Sequence, residues 1–280
     1  MERIAWVTDS TAYLDDMLKE HQDVYSIPMV VYFEGEEFLD GVTLSLEDFY
    51  TKMENSSTPP KTSQPSVGAF VELYNQLAEK YDRIISVHLS SHLSGTVSSS
   101  KQASELVDIP VHTIDSKVIS FPLSAMVKKG IRSQEEGKHS AEIIEYLENL
   151  SNNCELYVLI GSLEQLHRSG RMSGVQKLLG SLLQIKPIIK IEDGKLEVVE
   201  KVRTQKKALS KILDFVEVSN SKSPLKELFV LHGTNHDEAK ALVETLKGIY
   251  SNIPINPYPL STAIAVHAGV NTIGIAWYNE

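Results

Sequence analysis

From Ser86 to Thr96 the chain reads S-V-H-L-S-S-H-L-S-G-T, which sets five hydroxyl residues, two histidines and a glycine directly after an apolar run. Hydroxyls and free backbone N–H groups at the start of a helix hold an anion without adding charge of their own, and Ser94 and Thr96 stand where they could do so. Local sequence alone slightly favours the plainer reading, in which Ser94 is a helix cap and His88 and His92 are ordinary loop residues. The cluster Thr62-Ser63-Gln64-Pro65-Ser66 precedes a strongly periodic segment, and periodicity alone reads it as an N-terminal helix cap with Pro65 near the first turn. Ser94, His267 and Asp115 offer the residue types of a serine hydrolase, but no G-x-S-x-G is present and such triples arise by chance. His232 and His236 stand four apart beside Asp237. Gly233 lies between them and a helix start is expected there, so surface or capping roles outweigh a metal site. Arg171 sits between Ser169-Gly170 and Ser173-Gly174, where a cation is expected to be exposed, either solvated near a helix end or offering its planar fork to phosphate or carboxylate.

These residues need elements to hold them. Ile84, Ile85, Val87 and Leu89 read as a buried strand and Val97 to Val107 as the following helix, a unit in which ligands gather at the carboxyl end of the strand. Before it come a strand from Ile4 to Val7, a helix from Tyr13 to Lys19 capped by Asp9 or Ser10, and a strand from Tyr25 to Tyr32. The Asp40-Gly41 turn, a helix from Ser45 to Met53, and a helix with Phe70, Leu73, Tyr74, Leu77, Ala78 and Tyr81 on one face follow. After it come a strand at Val111 to Ile114, helices at Val118 to Arg132 and Ser140 to Leu150, and a strand at Leu156 to Ile160. Such alternation predicts a parallel, helix-covered sheet.

The polar break at Ser151 to Cys154 divides the chain into domains 1–154 and 155–280. In the second, the sequence predicts a short helix from Leu163 to Ser169, a helix from Val175 to Leu183, and a hairpin of Lys186 to Ile191 and Leu196 to Val202 across Asp193-Gly194. A helix from Lys206 to Val218, a strand from Leu228 to His232, a helix from Asp237 to Tyr250 and three short strands complete it, with His267 ending the strand Ile264 to Val266. Antiparallel pairing is expected from the hairpin onward. The fold class is therefore α/β, with two α/β domains, the first built on a mainly parallel sheet and the second on a mixed one.

Composition narrows the function. A net charge of -10 at pH 7 argues against nucleic acid or an anionic membrane surface as a standing partner. Cys154 is the only cysteine, so neither an intrachain disulfide nor a cysteine-based metal cluster forms, and no metal is expected. The N-terminus does not read as a signal peptide and no apolar run is long enough to span a bilayer, which makes a cytoplasmic protein without stable membrane insertion the economical reading. Neither G-x-x-x-x-G-K-[ST] nor G-x-G-x-x-G occurs, so no nucleotide cofactor loop is recognisable.

Taken in order, Thr8-Asp9-Ser10, Thr62 to Ser66, Ser90 to Thr96, Asp115-Ser116, Leu163 to Met172, Leu182 to Ile189 and His267-Ala268-Gly269 resemble the DegV family across nearly the whole chain. That resemblance implies a carrier of long-chain fatty acids that needs no cofactor. It also implies that the carrier presents its acid to a separate ATP-dependent fatty acid kinase subunit for conversion to acyl-phosphate. Carried over by position, Thr62, Ser63, Ser94, Gly95 and His267 would surround the carboxylate, and Arg171 and Arg203 would meet the partner or the phosphate. An imidazolium at His267 would offset the carboxylate's charge, whereas a neutral imidazole would donate one hydrogen bond. The chain departs from the family pattern at Ser169-Gly170, where a Gly-Gly pair is frequent, and after His267, where H-x-G-P-G-x-x-G is frequent. On this reading the protein is not an enzyme by itself. The alternatives are a serine hydrolase using Ser94 and His267, and a fatty-acid sensor without a kinase partner.

Overall fold

The computed structural model describes residues 2–56, 58–171, 175 and 185–279. They form two compact units, Met1–Asn152 with Ser261–Ala263, and Asn153–Leu260 with Ile264–Glu280. Unit 1 runs β1 (Ile4–Asp9), α1 (Asp16–Glu20), β2 (Val24–Ile27), β3 (Val30–Phe33), β4 (Glu36–Leu39), α2 (Leu46–Asn55) and β5 (Lys61–Ser63). It continues with α3 (Val67–Ala78), β6 (Arg83–His88), α4 (Thr96–Ser104), β7 (Val111–Asp115), α5 (Phe121–Glu135) and α6 (Ser140–Leu150). Unit 2 runs β8 (Cys154–Leu159), α7 (Leu163–Arg168), β9 (Lys186–Glu192), β10 (Lys195–Val202), α8 (Gln205–Lys222) and β11 (Leu228–His232). It ends with α9 (His236–Ile249), β12 (Ile255–Pro259), α10 (Thr262–Ala268) and β13 (Ile273–Tyr278).

The main sheet of unit 1 is wholly parallel, in the order β2-β1-β6-β7. Helices cover both of its faces, which is why all six residues of β1 are buried and read as an apolar run ending in Thr8-Asp9. On one face Ala5 and Val7 pack with Phe70, Tyr74 and Leu77 of α3 and Ala103 of α4. On the other, Trp6 lies so close to Gly130 of α5 that a Cβ there would collide with its ring, and its indole N–H donates to Gln134 at 2.8 Å. Ser45 and Ser66 cap α2 and α3 as serines before amphipathic runs do.

Unit 2 has a mixed six-stranded sheet, β10-β9-β8-β13-β11-β12, in which only β11 and β12 pair in parallel. The hairpin β9–β10 turns at Asp193 and Gly194, which adopt the positive φ angles of 47° and 78° that a two-residue turn needs. The core gathers Tyr157, Ile212, Val216, Leu246, Ile275 and Trp277. A parallel sheet in the first unit and a mixed one in the second is the architecture read from the sequence.

Expectations about individual elements fail at several places. The stretch 25–32 is two strands, broken at Pro28 and Met29, because proline cannot donate to a ladder. The second of them, β3, centres a small antiparallel sheet β4-β3-β5, so antiparallel pairing already occurs in unit 1. Helix α1 is capped by Asp15, since Asp9 and Ser10 are engaged elsewhere. Thr62 and Ser63 form the edge strand β5, leaving Ser66 alone as the cap of α3. The segment 264–266 belongs to helix α10, with His267 in its last turn. The helix expected over 175–183, Val175 apart, and the start of the 182–189 motif lie outside the described residues.

Candidate functional site

The two hydroxyl loops meet within unit 1. Thr62 and Ser63 are half-buried on β5, paired to Val31 and Val30, and the chain then turns through Gln64. Ser94 and Gly95 close a turn in which the Leu93 and Ser94 amides donate to the Ser90 carbonyl. A Cβ built on Gly95 would stand 2.7 Å from Gln64 Nε2, so the two loops touch at this point through the end of the Gln64 side chain. Gly95 is also the N-cap of α4 and supplies no side-chain cap. Ser94 therefore does not cap the helix; its hydroxyl lies 2.9 Å from that of Thr96, which reaches the Met29 sulfur at 3.6 Å. Uncharged hydroxyls beside helix amides with no side-chain cap suit an anion.

Behind these loops lies a polar network that sequence reasoning missed. Asp9 Oδ1 accepts from the Thr11 amide and hydroxyl at 3.1 and 2.5 Å, and Oδ2 accepts from the Leu89 amide at 3.0 Å. His88 Nδ1 is 3.0 Å from the same oxygen, and Nε2 is 2.7 Å from the Ser86 hydroxyl. From Ser86 the chain of hydroxyls continues through Tyr74 and Ser100 to Thr113 in steps of 2.7 to 2.8 Å. Burial raises the Tyr74 hydroxyl to about 12 and keeps it neutral. Asp9, His88 and Ser86 reproduce the arrangement of a hydrolase triad, yet all three are 0% exposed. They brace strand ends rather than meet a substrate. His88 is accordingly a strand residue, packed edge-on against Phe70, not a loop residue. The two-residue spacing of Ser86 and His88 on a strand, which puts them on one face, was the available signal.

Asp40 is the second unforeseen group. Its carboxylate accepts from the Ser10 hydroxyl at 2.8 Å and from the Ala263 amide at 3.4 Å. Burial holds its pKa above the usual range, partly offset by Ser10, Ala263, Thr262 and Ser261. The hydrolase alternative finds no support at Asp115, whose Oδ1 accepts from the backbone amides of Ser91 and Lys117 at 3.2 and 3.0 Å.

In unit 2, the Arg171 guanidinium donates to the Ser169 carbonyl at 2.5 Å and is half-buried, contrary to the exposure expected of it. Burial lowers its pKa. The three-residue span back to Ser169 folds the side chain over its own loop. Arg203 is exposed and lines a cleft of about 550 Å³ with Lys186, Glu164, Ser162, Leu163 and Pro187. His232 and His236 stack edge to face at 4.8 Å, and His232 Nδ1 bonds the Gly233 carbonyl. No group of three or more His, Cys, Asp or Glu among the described residues is arranged to hold a metal.

Burial, and then the nearby Arg171 cation, push His267 down from 6.5 to about 4, so it is a neutral imidazole at pH 7 and not the imidazolium considered from the sequence. The unfolded chain binds a proton at His267 between these values and the folded one does not, so stability falls as pH drops from 6.5 toward 4. About 2 kcal/mol is expected to be lost between pH 7 and pH 4.5 through this group. Denaturant midpoints across that range should show the loss in the parent chain and a flatter profile in His267→Gln.

The family model headed "Uncharacterised protein, DegV family" matches residues 3–280. Protein DegV of Bacillus subtilis is 34% identical over 98% of each chain, and a DegV domain-containing protein of Halalkalibacterium halodurans is 37% identical over the whole of both. Among solved structures, DegV of Bacillus subtilis, described as a fatty acid binding protein, superposes with a TM-score of 0.92 at 33% identity over 100% of both chains. A fatty-acid-binding DegV family protein of Thermus thermophilus gives 0.90 at 29% identity over 99% of this chain and 100% of its own. No described helix is long and apolar enough to cross a membrane. With the sequence motifs in order and both units matched along their length, the chain belongs to the DegV family.

Proposed function

We propose that this protein binds a long-chain fatty acid, with the carboxylate on the hydroxyls and amides of Thr62, Ser63, Ser94 and Gly95. The observation that carries the reading is the approach of Gly95 to Gln64, which brings both hydroxyl loops together beside the start of α4. Its relatives of known structure from Bacillus subtilis and Thermus thermophilus, described as fatty acid binding, support the choice of anion. His267 enters through the family resemblance alone, as a neutral hydrogen-bond donor.

Burying about fourteen methylenes contributes on the order of 11 kcal/mol of gross transfer energy, enough for tight binding after association costs. The headgroup can then be held loosely by neutral donors and remain a nucleophile. With no nucleotide loop in the sequence, ATP comes from a separate kinase subunit, and the product is acyl-phosphate. Arg203, exposed beside Lys186 at the unit 2 cleft, is better placed than half-buried Arg171 to meet that partner or the phosphate.

Denaturing extraction followed by mass spectrometry of the purified protein is expected to release a long-chain acid. A protein that is empty and also fails to take up labelled octadecanoic acid would falsify the reading. Ser94→Ala is expected to weaken binding by roughly 1–3 kcal/mol in calorimetry. An unchanged dissociation constant removes Ser94 from the site.

A further inference from the structure

Between Lys201 and Lys211 five of eleven residues are lysine or arginine and none is aspartate or glutamate, in a chain whose net charge is -10 at pH 7. Lys201, Arg203, Lys206 and Lys207 are all exposed. They run from the end of β10 into the first turn of α8, which begins behind its Thr204 cap. Lys186 joins them from the neighbouring strand, because it stands opposite Val202 in the β9–β10 register and is exposed as well. A group of cations is thereby gathered on one corner of unit 2.

The acids around this corner do not balance it. Glu164, which lines the same cleft as Lys186 and Arg203, is paired with Arg168 at 2.6 Å. Asp214 holds Lys211 at 3.3 Å. Glu200 accepts from the Lys201 amide, and Glu238 accepts from the side-chain amides of Gln205 and Asn235. Counting Glu200 and Glu238 against the cations still leaves the corner positive.

Two of these lysines also stand where they oppose the fold. The first turn of α8 holds Lys206 and Lys207 and no acid, although the start of a helix carries partial positive charge and cations there cost stability. Helices α2, α6 and α9 follow the favourable pattern, with Glu47 and Asp48, Glu142, and Asp237 and Glu238 in their first turns. A departure from a local rule with no gain inside the fold points to something outside it.

The corner also has a hollow. Lys186 and Arg203 line the cleft of about 550 Å³ together with Ser162 and Pro187. A protein surface can fill such a hollow with a protruding side chain, whereas a flat anionic bilayer leaves it empty. Among the described residues of β9, β10 and the first half of α8, Val199 is the one exposed large apolar side chain, too little to anchor the corner in lipid. We infer that this corner is the docking surface for an acidic face of a partner protein, with a carboxylate of that face entering the cleft toward Lys186 and Arg203 and others meeting Lys201, Lys206 and Lys207. This extends the reading above, in which that partner is the kinase subunit. Complementary charge of this kind speeds encounter and fixes orientation.

The probe is a glutamate-rich peptide, joined to the full chain with a carbodiimide that links carboxylates to amines. Cross-links located by mass spectrometry are expected to concentrate on Lys186, Lys201, Lys206 and Lys207 rather than on Lys80, Lys101 and Lys240, which are equally classed as exposed. Lys206→Glu combined with Lys207→Glu should weaken peptide binding about tenfold in fluorescence anisotropy at low salt. The same double variant should melt about 2 °C higher, because acids replace cations at the helix start. Lys101→Glu combined with Lys240→Glu changes the net charge equally and should leave peptide binding nearly unchanged. Absence of peptide binding, cross-links spread evenly over the exposed lysines, equal weakening by the two charge reversals, or a lower melting temperature for the Lys206 and Lys207 variant each overturn the inference. Tighter binding to phosphatidylglycerol vesicles than to the peptide overturns the choice of a protein partner. Uptake of labelled octadecanoic acid is read on the same samples: its absence overturns the fatty-acid reading and leaves the docking surface standing, whereas uptake without peptide binding overturns the docking surface alone.

Discussion

Asp9→Ala is expected to lower the stability of the protein by about 3–5 kcal/mol. The Asp9 carboxylate gathers the Thr11 amide and hydroxyl, the Leu89 amide and the His88 ring at the ends of the two central strands of the parallel sheet. Removing it strands four buried donors, each costing about 1–3 kcal/mol when unmatched, with part of the loss recovered by relaxation. Asp9→Asn keeps the shape and one carbonyl acceptor, so it should retain about half of that stability. Urea unfolding monitored at Trp6, whose indole lies in the same unit, reads both variants. A loss below about 1 kcal/mol for Asp9→Ala would mean that the network is dispensable and that strand packing alone fixes these loops. Ser94→Ala, at the surface end of the same unit, should leave the unfolding midpoint almost unchanged and serves as the control.

Gly233→Ala is expected to cost about 3 kcal/mol or more in unit 2. A Cβ at this position would collide with the Val270 carbonyl, which is backbone and cannot rotate aside. The same carbonyl accepts from the Thr234 amide at 2.7 Å, and the Gly233 amide donates to the Thr272 carbonyl at 2.9 Å. The methyl must therefore push apart two loops that are laced together by hydrogen bonds. Gly248→Ala, where nothing lies within 4 Å, should be neutral or slightly stabilising because helix propensity improves. Circular dichroism melts of the two variants give the comparison. Equal melting temperatures would show that the 270–272 loop moves away at no cost.

Most of the architecture was legible because it is local. Fully buried parallel strands read as apolar runs, Ser45 and Ser66 stand before amphipathic helices, and Asp193-Gly194 announces its hairpin. Helix α10 was not legible. Its residues 262–266 are all buried, so no polar stripe marks a helical period, and a short apolar run containing Ile264 and Val266 looks like a strand. The small sheet β4-β3-β5 was hidden for a different reason. Its strands are three or four residues long, and one of them, β5, is made of polar residues that resemble a cap.

The hydroxyl loops were recognisable from the order of their motifs, but that they touch follows from Gly95 and Gln64, which no spacing reveals. The Asp9–His88–Ser86–Tyr74 array depends on the alignment of β1 with β6 and on the placement of α3, both long-range facts. Asp40 looked like a turn residue because its role needs an amide more than two hundred positions away.

That last bond bears on how the protein is made. Unit 1 is not a contiguous stretch of chain: its buried Asp40 takes the Ala263 amide, and Ser261–Ala263 cluster with residues translated long before them. While the ribosome is still synthesising unit 2, the N-terminal unit can build its parallel sheet but holds a carboxyl with an incomplete set of donors. Its completion waits until residues 261–263 have emerged, more than one hundred residues after the end of its own main stretch. A fragment cut at residue 152 would stop at that unfinished state, and an isolated version of this unit needs 261–263 supplied by circular permutation or as a separate peptide.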